Sequence, residues 1–139
     1  MALGGGLPDL VETTDAAAGT ATAYTLAIGQ TAQGQLGSAN DHDFYAVNLV
    51  AGETYTFAMT GTGTDNVVDT YLRLYASNGT SLLAQNDDGL PGSNSLITFT
   101  AAASGTYYLD AGSFNNAYAG QYGVSATLGS RASLDLRMG

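Results

Sequence analysis

The feature that most constrains this chain is a recurrence of short runs rich in Thr, Tyr, Val and Leu, each cut off by Gly, Asn or Asp. Runs of this length and spacing suit a sandwich or barrel of strands. The segments that read as strands are Ala21–Ile28, Thr31–Leu36, Asp43–Val50, Thr54–Thr60, Thr70–Ala76, Ser81–Gln85, Ser95–Ala101, Thr106–Ala111 and Gln121–Leu128. Several alternate with period two: Tyr55, Phe57 and Met59 against Thr54, Thr56 and Ala58, and Tyr122, Val124, Ala126 and Leu128 against small or polar neighbours. Successive side chains of a strand point to opposite faces, so this pattern makes one face buried and one wet. The expected class is all-β, an antiparallel β-sandwich. The one helix-compatible stretch, Thr14–Ala18, is short and backed by Gly19, so it forms at most a turn.

With 139 residues the chain has room for one domain with a real core. Setting aside two ends without strand pattern leaves residues 9–128 for that domain. The Gly-rich Met1–Pro8 and the pattern-free Gly129–Gly139 read as linker, appended sequence or tail. Ten Asp and two Glu face three Arg and no Lys, a formal net charge of −9. Nucleic acid is excluded as a partner, because phosphate binding draws on clustered Lys and Arg. Anionic membrane surfaces are disfavoured for the same reason. The absence of Cys removes disulfides, zinc thiolates and thiol catalysis, and the single His42 rules out a His-rich metal site. No apolar run reaches the roughly 20 residues needed to span a bilayer, and the start lacks the basic and apolar regions of a signal peptide.

The clearest local signal is a hairpin, Tyr71 to Ala84, turning at Asn78-Gly79. A two-residue type I′ turn there predicts cross-strand pairs Ser77 with Thr80, Arg73 with Ala84, and Asp69 with Asp88. Opposed carboxylates are unfavourable unless a cation or a donor separates them. Asn78-Gly79-Thr80 also matches a glycosylation acceptor, which the turn explains without a glycan.

The acids gather at Asp9/Glu12/Asp15, Asp41/Asp43, Asp65/Asp69 and Asp87/Asp88. Calcium takes six to eight oxygen ligands at about 2.3–2.6 Å, so carboxylates, Asn and main-chain carbonyls suffice without His or Cys. No EF-hand loop occurs, and a site would have to be assembled from separate segments. Asn40-Asp41-His42-Asp43 lies where a Gly/Ser loop enters a strand, and alternation would point Asp41 and Asp43 the same way. A solvated acidic turn is the equal alternative.

A series of motifs carries a family resemblance. Gly34-Gln35-Leu36, Asn40-Asp41-His42-Asp43-Phe44-Tyr45-Ala46-Val47, Leu49-Val50-Ala51-Gly52-Glu53-Thr54-Tyr55-Thr56-Phe57, Asp69-Thr70-Tyr71-Leu72-Arg73-Leu74-Tyr75, Asn86-Asp87-Asp88, Ser104-Gly105-Thr106-Tyr107-Tyr108-Leu109 and Gly120-Gln121-Tyr122 follow in order. Across residues 9–128 the chain resembles the bacterial pre-peptidase C-terminal domain, to which the collagen-binding domains of clostridial collagenases are related. The resemblance implies a jelly-roll-like sandwich, appended to secreted proteases and other exported enzymes.

It also implies a calcium site in which an acidic N-terminal segment closes over the sandwich. Carried onto this chain, the ligands would be Glu12 and Asp15 with Asp41 and Asp43; the Asn-Asp pair typical of that segment reads Thr14-Asp15 here. Asp69 with Asn86, Asp87 and Asp88 forms a second candidate through the hairpin register, against the simpler reading that Asp69 and Asn86 cap loop amides. Calcium would then dock the N-terminal segment after export.

Catalysis has no positive signal. There is no G-x-S-x-G elbow, phosphate loop or H-E-x-x-H, and His42 has no nucleophile near it in sequence. Gly61-Thr62-Gly63-Thr64-Asp65-Asn66-Val67 half-resembles a calcium β-helix repeat, but one copy cannot stack. Tyr71, Tyr75, Tyr108 and Tyr118 are candidates for a wet face, and alternation singles out Tyr108 as the ligand-binding surface residue, although cross-strand Tyr pairs also simply stabilise sheets. The expected role is a non-catalytic, calcium-binding accessory domain of a secreted or cell-surface bacterial protein. Its expected partners are neighbouring domains of a larger precursor and an extracellular protein or polysaccharide. The alternative is a carbohydrate- or collagen-binding adhesin module.

Overall fold

The computed structural model describes residues 8–13, 17, 19–38, 41–64, 66–87, 89, 94–116 and 118–129. Tyr55, Phe57 and Met59 are buried, while the Thr and Ala between them are half-exposed, as their alternation requires. The described residues form nine strands: β1 Leu10–Val11, β2 Gln30–Leu36, β3 Asp43–Leu49, β4 Thr54–Gly61, β5 Thr70–Tyr75, β6 Leu82–Asn86, β7 Ser95–Thr100, β8 Gly105–Ser113 and β9 Gly120–Leu128. They form a five-stranded sheet, β1-β2-β9-β4-β7, and a four-stranded sheet, β3-β8-β5-β6. All pairings are antiparallel except β1 on β2. The chain changes sheet at most connections, which produces the jelly-roll-like sandwich. Tyr45, Phe57, Leu72, Leu109 and Tyr122 are among the fully buried side chains between the sheets. No helix among the described residues is long and apolar enough to cross a membrane.

Two expected features differ. Ala21–Ile28 is not a strand; it lies along the outer edge of β3, where Leu26 N donates to Ala46 O and Ala46 N to Tyr24 O, with one parallel bridge at Thr25. That edge is thereby covered, which an exposed strand edge needs. The 71–84 hairpin forms, but not with a type I′ turn. Asn78 does not adopt the positive φ such a turn requires; only Gly79 does, at 73°. Asn78 acts through its side chain instead, its Oδ1 accepting from Thr80 N and Ser81 N at 2.9 Å each. Register is as expected only beside the turn, where Tyr75 faces Leu82. A bulge then shifts it, so Arg73 faces Gln85 rather than Ala84. The linker or tail readings of residues 1–7 and 130–139 lie outside the described residues.

Candidate functional site

Asp43 opens β3 on its inward-facing parity and is completely buried. A buried carboxylate requires donors, and Tyr122 of β9 supplies one, its hydroxyl donating to Asp43 Oδ2 at 2.6 Å. Tyr45 Oη lies 2.6 Å from Tyr122 Oη. Since the Tyr122 proton goes to Asp43, Tyr45 donates to Tyr122, and a chain of phenol, phenol and carboxylate crosses the core. Gly34 of β2 makes room for it: a Cβ there would collide with the Tyr122 hydroxyl and lie 2.8 Å from that of Tyr45. Both phenols are held well above the usual tyrosine pKa. Burial is the main cause; Asp43 and Glu12 act further on Tyr45, and Tyr45 and Asp43 on Tyr122.

The other carboxylates of this end work on β2. Glu12 N donates to Gln33 O, continuing the β1 ladder, and Glu12 Oε1 accepts Gln35 N at 2.8 Å, standing where the next carbonyl of a longer strand would be. Asp41 Oδ2 accepts Gly37 N at 2.9 Å, closing the loop that leaves β2. Asp41 is half-buried and Asp43 fully buried, one on a loop amide and the other on a core phenol. Glu12, Asp41 and Asp43 thus converge on the C-terminal half of β2. Their donors are all anionic oxygen, which suits a hard cation such as calcium. Among the described residues, no three of His, Cys, Asp and Glu lie close enough together to hold an ion by themselves. Asp15, the fourth ligand the resemblance implies, lies outside the described residues.

The second acidic set is less convergent. β5 and β6 pair only as far as Leu72 with Asn86. Asn86 Oδ1 accepts Gly89 N at 2.6 Å and Leu96 N at 3.0 Å, a loop cap. Asp69 and Asp87 are half-buried; their carbonyls accept from Phe114 N and Ser95 Oγ respectively. Asp88 lies outside the described residues.

Tyr108 points to the outer face of the four-stranded sheet, half-buried, with its ring tilted against Phe44 at 6.5 Å between centroids. Phe44 stacks on Tyr75 at 5.5 Å and Tyr71 on Phe114 at 6.1 Å, so these outward aromatics cover one another. Between them sits Asp110, a residue that sequence clustering passed over because it stands alone. It is 3% exposed; His42 Nδ1 lies 2.9 Å from its Oδ1, and Arg73, its cross-strand neighbour, reaches Oδ2 at 3.8 Å. The available signal was an isolated acid inside a Tyr-rich strand, in a chain with few cations to meet it. The Arg73 guanidinium also covers the Tyr71 ring at 4.0 Å.

The fold matches solved structures at low identity. The pre-peptidase C-terminal domain of a Bacillus anthracis collagenase aligns over 88% of this chain and 100% of its own length, with a TM-score of 0.59 and 17% identity. PliG of Aeromonas hydrophila, a periplasmic inhibitor of g-type lysozyme, covers 88% and 100%, at 0.56 and 12%. The surface-associated copper-binding protein CorA of Methylomicrobium album BG8 covers 76% and 99%, at 0.57 and 10%. No curated protein matches in sequence. The family model of the bacterial pre-peptidase C-terminal domain, a non-catalytic domain often found in secreted proteases, matches residues 41–113. That span takes in β3 through β8 with Asp41, Asp43 and Asp110, and the chain belongs to the bacterial pre-peptidase C-terminal domain family.

Proposed function

We propose that this domain serves an exported bacterial protein as a calcium-dependent accessory module, in which the ion locks the N-terminal segment onto the sandwich. The observation that carries this reading is the placement of Glu12. It comes from the leading segment, yet its carboxylate is bonded to Gln35 N, on the strand that Asp41 closes and beside the phenol pair that Asp43 holds. Glu12, Asp15, Asp41 and Asp43 would hold the ion. Calcium would neutralise the repulsion among carboxylates drawn from distant segments. Binding to the folded state alone stabilises by RT ln(1 + [Ca]/Kd), about 2.7 kcal/mol when calcium is a hundredfold above Kd. Outside the cell, where calcium is abundant, the segment would be docked.

The test is a thermal melt in calcium and in EDTA, with limited proteolysis of the N-terminal segment followed in parallel. The expected result is a higher midpoint and slower cleavage in calcium, both lost in Glu12→Gln and Asp41→Asn. An unchanged midpoint in the parent chain would sink the proposal.

A further inference from the structure

Two depressions open on the outer face of the five-stranded sheet, away from Tyr108. The larger, about 460 Å³, is walled by Glu12, Gln33, Gln35, Thr62 and Gln121. The smaller, about 200 Å³, is walled by Thr31, Ala58, Thr60 and Ser125, and shares Gln33 and Thr62 with the first. They therefore run together as one groove across β2, β9 and β4.

The floor of the groove is Gly123, in the central strand β9, opposite Gln33 on one side and Thr60 on the other. Packing does not demand a glycine there. Its φ is not in the left-handed region, and an added Cβ would meet nothing nearer than 3.6 Å, an ordinary contact. Gly34 and Gly61 are different, since a Cβ at either would collide with Tyr122 or with the Val67 carbonyl. A glycine inside a strand costs about 0.5–1 kcal/mol relative to Ala. At position 123 that cost keeps the floor free of a side chain, with Thr62 and Gln33 flanking a buried backbone.

The lining selects a chemistry. Among the described residues the groove is lined by Glu12 and Val11 at one end and otherwise by the glutamine amides, the threonine and serine hydroxyls, and Gly or Ala. The amides and hydroxyls both donate and accept hydrogen bonds. Gln35 and Gln121 stand directly opposite each other across β2 and β9, and neither side-chain amide bonds to another described residue. A net charge of −9 repels anions. We infer that the groove binds a neutral, extended glycan, its hydroxyls bridging the Gln35 and Gln121 amides and one sugar seated over Gly123. The groove shares Glu12 with the proposed calcium site, but the groups assigned to the glycan, Gln35, Gln121 and Gly123, are not among the proposed ion ligands.

The test is calorimetric titration of the full chain, in calcium, with cellohexaose, chitohexaose, maltohexaose and laminarihexaose. Binding of at least one is expected. Gly123→Val, which fills the floor, and the surface pair Gln35→Ala/Gln121→Ala should each weaken it about tenfold or more, while Tyr108→Ala leaves it unchanged. No binding of any of the four, or binding that survives both groove variants, overturns the assignment. Loss in Tyr108→Ala alone also overturns it, by moving the site to the opposite sheet. Because the double variant alters only solvent-facing amides, a folding failure of Gly123→Val leaves the test intact. Because neither variant touches a proposed calcium ligand, a flat calcium melt with retained glycan binding overturns the calcium reading and not this one.

Discussion

The hydroxyl of Tyr122, on a central strand of one sheet, donates to the carboxylate of Asp43, the first residue of an edge strand of the other, across 2.6 Å. This bond ties the two layers at the end where the N-terminal segment docks. Tyr122→Phe removes the donor to a buried carboxylate and the acceptor of Tyr45 together, and should cost about 1–3 kcal/mol in urea unfolding. Tyr45→Phe removes only the outer donor of the chain and should cost less, about 0.5–1.5 kcal/mol. Equal losses would mean that the carboxylate does not depend on the phenol.

Alkaline pH should unfold the protein through the same pair. Burial raises the folded pKa values of both phenols above the ordinary tyrosine value of 10.0. The folded state therefore keeps protons that the unfolded state gives up. The stabilisation is full below pH 10 and is lost progressively as pH climbs toward the folded values. Tyrosinate absorbance from these two residues should appear together with the loss of β-sheet circular dichroism. A smooth titration complete before unfolding would contradict it.

Gly34→Ala and Gly123→Ala form a matched pair. The first places a methyl group against the Tyr122 and Tyr45 hydroxyls and should cost about 1–3 kcal/mol through overpacking. The second has room, and a strand favours Ala over Gly, so chemical denaturation should show no loss or a gain of about 0.5–1 kcal/mol.

Asp110 should be coupled unequally to its two basic neighbours. His42 Nδ1 sits at hydrogen-bond distance, 2.9 Å, while Arg73 is 3.8 Å away; both side chains are about equally exposed. A double-mutant cycle of His42→Ala with Asp110→Asn should give about 1–2 kcal/mol, and Arg73→Gln with Asp110→Asn under about 1 kcal/mol. The reverse order would show that charge outweighs the hydrogen bond.

How far the chain could be read in advance depends on what each element rests on. β4 and β9 follow from Tyr55-Thr56-Phe57-Ala58-Met59 and Tyr122-Gly123-Val124-Ser125-Ala126, because the pleat forces alternation wherever a strand has one buried face. β1 has two residues and no pattern of its own; it exists because the edge of β2 accepts it, Leu10 against Ala32 and Val11 against Gln33. Asn78-Gly79 marks where the chain turns, yet the turn's geometry depends on a choice the residue type leaves open, between left-handed backbone and side-chain capping.

The sequence by itself determined that this is an all-β sandwich and that acids sit at strand ends, since both follow from periodicity and from the positions of Gly, Asn and Asp. Only the tertiary structure decided what the acids do, Asp110 inside β8 included. Glu12 meets Gln35, Asp43 meets Tyr122 and Asp110 meets His42 across separations of 23, 79 and 68 residues. Such meetings are set by which strands pair and in what register, and no local pattern records them.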